Sequence, residues 1–161
     1  MEQLTFFTPS YKYIIDTSSV FSQKENYHFP RNIHKTLWER IENLIENQEI
    51  VTCTEIEEEV KADNEVGHWL QDHQCIILPI DDPIQINVRK IVTEHPKLIS
   101  FGISGSSSGD AFLIATAMKY KLTVITEENK EKQSKIPYIC SSYGIQAINI
   151  TELCKEEGWV F

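Results

Sequence analysis

Apolar residues along this chain follow two rhythms, and the alternation between them outlines the fold. Short runs rich in β-branched residues, at 13–15, 50–53, 75–80, 122–126 and 147–150, predict strands. Between them the spacing turns helical. Leu37, Trp38, Ile41, Leu44 and Ile45 form one apolar stripe, and Ile56, Val60, Val66 and Leu70 form another over a predicted helix from 54 to about 73. Asp81-Asp82-Pro83 reads as a cap with a first-turn proline, with Ile84, Val88, Ile91 and Val92 facing inward. The segment from Gly109 to about Tyr120 is apolar nearly all round, which predicts a buried helix, and Thr151 is expected to cap a last short helix ending before Gly158. Strands alternating with helices of this length predict an α/β fold: a three-layer α/β/α sandwich around a central parallel sheet. No repeat or linker divides the chain, so residues 1–161 are expected to form a single domain.

In such sheets ligands gather beyond the carboxyl ends of the strands, at the point where strand order reverses. Four acids are predicted at that edge. Asp16 ends the first apolar run, in Tyr13-Ile14-Ile15-Asp16-Thr17-Ser18-Ser19. Glu59 falls inside the apolar face set by Ile56, Val60, Val66 and Leu70, early in a helix that follows a strand. Asp63 shares that stripe one turn later and is a weaker candidate. Asp110 opens the buried helix, and Glu128 follows the strand at 122–126. Each has a structural reading of its own: N-caps for Asp16 and Asp110, a rim position for Glu59, a solvated turn for Glu128. Together they would repel one another, and a divalent cation removes that cost. All-oxygen ligation favours Mg²⁺ or Mn²⁺, and the chemistry such a centre suggests is metal-dependent phosphodiester hydrolysis.

Charge and composition narrow the partners. A formal net charge of −9 argues against broad nonspecific nucleic-acid binding, though not against a local basic track or a metal-bridged phosphate. The hydrophobic fraction of 41% and charged fraction of 24% are those of a soluble globular protein. No run approaches the roughly 20 apolar residues of a membrane span. The start, MEQLTFFTPS, shows no secretory signal, so a cytoplasmic location is expected. Cys53, Cys75, Cys140 and Cys154 lie far apart with no zinc-type spacing, which suits reduced thiols. His68 and His73 flank Trp69 without metal-spaced partners and read as surface or core histidines.

At these residues the chain resembles the PIN domain, a nuclease fold of many toxin–antitoxin toxins. The resemblance runs from about Tyr13 to Ile150 and is carried by "YIIDTSSVF", by Ile56-x-x-Glu59-Val60, by Asp110-Ala111-Phe112-Leu113-Ile114-Ala115-Thr116-Ala117 and by Thr126-Glu127-Glu128. The arrangement "VITEENK…KIPYIC" is similar to an uncharacterised PIN-like branch. The resemblance implies a Mg²⁺- or Mn²⁺-dependent endoribonuclease acting on RNA. Asp16, Glu59 and Asp110 would hold the metal, Glu128 would assist, and Thr17, Ser18 and Thr126 would orient carboxylates or water. Glu128 stands where the family carries Asp; it would reach the metal through water or leave the role to Glu127. An antitoxin partner and a homodimer are also implied. The alternative is a PIN-fold binding or regulatory protein with little nuclease activity.

Residues 119–135 hold five lysines against three glutamates, and Lys119, Lys121 and Lys130 are expected to contact RNA phosphates. A solvated face is the competing account. Ser106, Ser107 and Ser108, beside Asp110, are further candidate phosphate donors. A haloacid-dehalogenase-like phosphatase would want a second Asp where Ser18 stands, and Gly102, Gly105 and Gly109 do not form a dinucleotide-binding GxGxxG.

Overall fold

Tyr13, Ile14 and Ile15 are apolar at three successive positions because both faces of their strand are covered. They form β1 (Tyr13–Ile15), the middle strand in a computed structural model that describes residues 10–98 and 108–161. The other strands are β2 (Ile50–Cys53), β3 (Ile76–Leu78), β4 (Thr123–Ile125) and β5 (Ala147–Ile148). All pairings are parallel, and the order is β3-β2-β1-β4-β5. Ile14 sits in register between Val51 and Val124, all three fully buried. The sequence-predicted parallel sheet is therefore present. Its order reverses between β1 and β4, which sets the switch point there.

The helices are α1 (Thr17–Phe21), α2 (Lys35–Glu46), α3 (Thr54–Lys61), α4 (Trp69–Asp72), α5 (Asp82–Glu94), α6 (Ser108–Tyr120), α7 (Ile136–Ser142) and α8 (Ile150–Glu157). They cover the sheet on both sides, giving the α/β/α layering expected. The α2 stripe is buried as predicted, with Trp38, Ile41 and Ile45 fully inside. In α6 the small residues Ala111, Ala115 and Ala117 are buried beside Leu113 and Ile114, so this helix lies deep against the sheet. No helix among the described residues is long and apolar enough to cross a membrane.

Three local expectations change. The single helix expected over 54–73 is two, α3 and α4, because the Asp63 carboxylate accepts the N–H groups of Glu65 and Val66 at 2.9 Å each and closes a turn. At Gly67 a Cβ would stand 2.5 Å from the Asp63 carbonyl oxygen, so only glycine fits. Gly67→Ala is expected to cost about 1–3 kcal/mol in urea denaturation, since the clash is with backbone. The last strand ends at Ile148 rather than 150, because Asn149, not Thr151, caps α8: its side chain accepts from Glu152 N–H at 2.8 Å and Glu152 returns the bond to Asn149 N–H at 2.9 Å. The short helices α1 and α7 were not anticipated.

Candidate active site

Asp16 is the first residue beyond β1 and Thr126 the first beyond β4, so adjacent strands deliver both to the switch point. The Asp16 N–H donates to the Ile125 carbonyl at 2.9 Å, which extends the pairing by one residue. Asp16 stands at the N-cap position of α1, yet its side chain makes no cap hydrogen bond. Instead its Oδ2 accepts from Ser18 Oγ at 2.7 Å and Thr126 Oγ1 at 2.9 Å, and the residue is only 2% exposed. The same hydroxyls stitch the β4 loop down: Glu127 N–H donates to Ser18 Oγ at 3.0 Å and Glu128 N–H to Thr126 Oγ1 at 3.2 Å. Thr17 Oγ1 donates to Glu59 Oε1 at 3.0 Å, tying α3 to the turn that follows β1. Hydroxyls from three positions, Thr17, Ser18 and Thr126, thus hold two acids.

Asp110 lies in the first turn of α6, inside the helix rather than at its cap. Its carboxyl is pushed up from 3.8 to about 8, first by burial and then by the charges of Asp16, Glu128 and Glu59, with Lys135 pulling the other way. Asp16 is raised to about 6, mainly by burial, against the lowering effect of Ser18 and with a further push from Glu128. Cys140, buried on α7, is raised to about 12 by burial and then by the charges of Asp16 and Glu128. Glu128 therefore bears on all three groups, the carboxyls of Asp16 and Asp110 and the thiol of Cys140. Asp110 thus feels the charge of each of the other three acids singled out from the sequence.

Two acids are otherwise engaged. Glu128 Oε1 accepts the Ile136 N–H at 3.0 Å, so the carboxylate sits at the start of α7 while still bearing on Asp16 and Asp110. Glu127 is held at a different helix, its Oε2 accepting the Ile150 N–H at 2.8 Å at the start of α8. Asp63 is outside the site, ion-paired with Lys24 and held below its ordinary value by that contact. His73 hydrogen-bonds Glu46 at 2.7 Å through Nδ1 and approaches Glu42 through Nε2, a structural role.

The lysine expectation needs correction. Lys119 lies nine residues beyond Asp110, about 14 Å along the helix axis, and Lys121 lies just before β4, at the other end of that strand from Thr126. Neither lines the acid edge. Lys119 is ion-paired with Asp81, and Lys130 with Glu152. The lysine that bears on the site is Lys135, which flanks α7. Sequence reasoning put it in the right cluster but did not select it. The signal was Lys135-Ile136-Pro137, a helix start with a first-turn proline. Ser106 and Ser107 lie outside the described residues.

Thr126 is 2% exposed and serves three partners, Asp16, the Glu128 N–H and Ser18 Oγ at 3.2 Å. Thr126→Val is expected to cost the fold about 1 kcal/mol through the lost hydrogen bond to Asp16, read as a lower midpoint in a thermal melt.

The fold has solved counterparts. PAE2754 from Pyrobaculum aerophilum aligns over 95% of this chain and 94% of its own, with a TM-score of 0.53 at 12% identity. DNA-bound VapBC from Salmonella typhimurium aligns over 87% of this chain and 98% of its own, with a TM-score of 0.51 at 16% identity. VapBC2 from Rickettsia felis, bound to a DNA fragment from its promoter, aligns over 85% and 97%, with a TM-score of 0.50 at 15% identity. Sheet order, layering and these neighbours show a PIN-like α/β/α fold. No curated protein matches the chain in sequence. The chain belongs to the family described as "Domain of unknown function (DUF4411)", whose profile matches residues 13–161.

Proposed function

We propose that this chain is a Mg²⁺- or Mn²⁺-dependent endoribonuclease, the toxin of a toxin–antitoxin pair. The observation that carries the reading is Asp110, a buried carboxyl at the sheet's switch point raised to about 8 by burial and by Asp16, Glu128 and Glu59. Acids that must hold protons at neutral pH in the absence of a cation suit a site that works with one. Among the described residues no three His, Cys, Asp or Glu side chains form a ready-made metal cage. The donor set nevertheless fits Mg²⁺, which takes one or two carboxylates and keeps several waters.

Asp16, Glu59 and Asp110 would hold the ion directly or through water, with Glu128 assisting. When bound, the ion supplies an activated water and stabilises both oxygens of an in-line phosphoryl displacement. Ser18 and Thr126 orient Asp16, and Thr17 orients Glu59, so these carboxylates need little rearrangement. Lys135 offsets part of the negative charge beside Asp110 and favours approach of a phosphate.

The test is cleavage of a labelled RNA with Mg²⁺ or Mn²⁺, with EDTA, and with Asp16→Asn. EDTA should abolish cleavage, and Asp16→Asn should reduce it by on the order of 100-fold. Cleavage that survives both, or no cleavage by wild type, would point to a PIN-fold binding protein instead. The VapBC neighbours are DNA-bound assemblies, which supports a protein antitoxin and self-pairing here. Light scattering of the purified chain should then give twice the monomer mass, and a small co-expressed neighbour gene product should co-purify.

A further inference from the structure

A cleft of about 630 Å³ opens between the end of α5 and the start of α7, lined by His95, Lys97, Lys132, Ser134 and Tyr138 among others. Its size is that of a small-ligand pocket. We infer that this cleft binds a single-stranded stretch of RNA, with Tyr138 stacking on a base and Lys97 and Lys132 holding backbone phosphates. The inference rests on the nuclease reading for its substrate class, and on the cleft for its position.

Position is the first argument. The lining residues Lys132 and Ser134 lead directly into Lys135, the lysine that bears on Asp110, and Glu128 is bonded to the next residue, Ile136. The cleft therefore adjoins the N-terminal end of α7, the end at which Glu128 is bonded.

Charge is the second. In a chain of net charge −9, Lys12, Lys24, Lys119 and Lys130 are each ion-paired, whereas Lys97 and Lys132 have no ion pair among the described residues. Two such lysines on one cleft are available to phosphate. The cleft's acid, Glu94, is occupied, accepting from Tyr143 Oη at 2.5 Å.

Tyr138 is the third. It is 40% exposed on a helix whose neighbouring residues Ile136, Pro137, Ile139 and Cys140 are all buried. An aromatic ring facing solvent beside two lysines is the combination that binds unpaired bases: the π-face stacks while the cations track the backbone. A duplex keeps its bases paired and offers no free face to that ring, so the cleft selects single strands.

Fluorescence anisotropy with a labelled 12-nucleotide single-stranded RNA, and with a hairpin of matched length, tests this. Measured in EDTA, the assay is independent of cleavage. Tyr138→Ala should weaken single-strand binding about 5- to 100-fold, the loss of one stack, and Tyr138→Phe should bind within about twofold of wild type. Lys97→Ala with Lys132→Ala should flatten the slope of log K against log salt by about 1.4, two phosphates' worth on a single strand. No binding by wild type, equal binding of the hairpin, or binding unchanged in both Tyr138→Ala and the double lysine variant would each overturn the assignment. If wild type binds through the cleft as described but cuts no RNA with Mn²⁺, the cleft stands and the catalytic reading of the acids falls. If it cuts RNA while the cleft variants bind normally, the cleft assignment alone falls.

Discussion

Asp110→Asn is expected to abolish RNA cleavage and, at the same time, to make the metal-free protein more stable. The Asp110 carboxyl lies at about 8 in the fold against 3.8 for the ordinary group. Between those two values the folded chain holds a proton that the unfolded chain releases. Stability of the metal-free protein therefore falls as pH rises from about 4 to about 8. Asparagine carries no charge at any of these pH values and removes the cost. Allowing for water reaching a partly open site, the gain at pH 7.5 should be on the order of 2 kcal/mol. For a domain of this size that raises Tm by roughly 4–8 °C. The gain should shrink as pH falls and vanish below about pH 3, where wild-type Asp110 is protonated in both states. Thermal melts of both proteins in EDTA, at half-unit steps from pH 4.5 to 8.5, give the answer. A variant less stable than wild type across the range would mean that the acids do not repel one another as described.

The second large effect is the response to metal. Mn²⁺ at about 100 times its dissociation constant should stabilise wild type by about 2.7 kcal/mol through mass action, several degrees in Tm. The response should grow with pH, because Asp110 at about 8 and Asp16 at about 6 must lose protons to serve as ligands. Between pH 7.5 and 5.5 most of the Mn²⁺ effect should therefore disappear, although the metal-free protein is itself more stable at the lower pH. The double variant Asp16→Asn with Asp110→Asn should show no shift at any pH. An equal shift in that variant would mean that Mn²⁺ binds elsewhere and would remove the metal from the proposed site.

Much of this site is legible along the chain because strand ends are local events. An apolar run that stops at Asp16 marks the end of β1, and the topology rule for parallel sheets then says which edge it occupies. Glu59 was legible for a similar reason, since helical periodicity alone puts it on the same face as Ile56 and Val60. The hydroxyls follow: Thr17 and Ser18 are chain neighbours of Asp16, and Thr126 ends the adjacent strand. The partners of Glu127 and Glu128 were not legible. Each carboxylate accepts an N–H at the start of a different helix, Ile150 and Ile136, and nothing within the tripeptide Thr126-Glu127-Glu128 distinguishes them. The break between α3 and α4 was hidden as well, because the apolar stripe runs on through Val66 and Leu70 while the Asp63 turn and the close approach at Gly67 interrupt the helix.

By itself, the order of residues determined the α/β alternation and the parallel sheet, because periodicity and strand ends depend on neighbours within a few positions. Only the tertiary structure decided which cations serve the acid edge. Lys119, Lys121, Lys130 and Lys135 share one stretch of chain, but α6 and β4 run between and past them, so Lys119 and Lys121 end up remote from Asp110 while Lys135 bears on it. The carboxyl shifts of Asp16 and Asp110 were likewise beyond the sequence, since they arise from burial and from charges carried by other elements of the fold. Electrostatic coupling acts through space, and the distances that govern it exist only once the chain has folded.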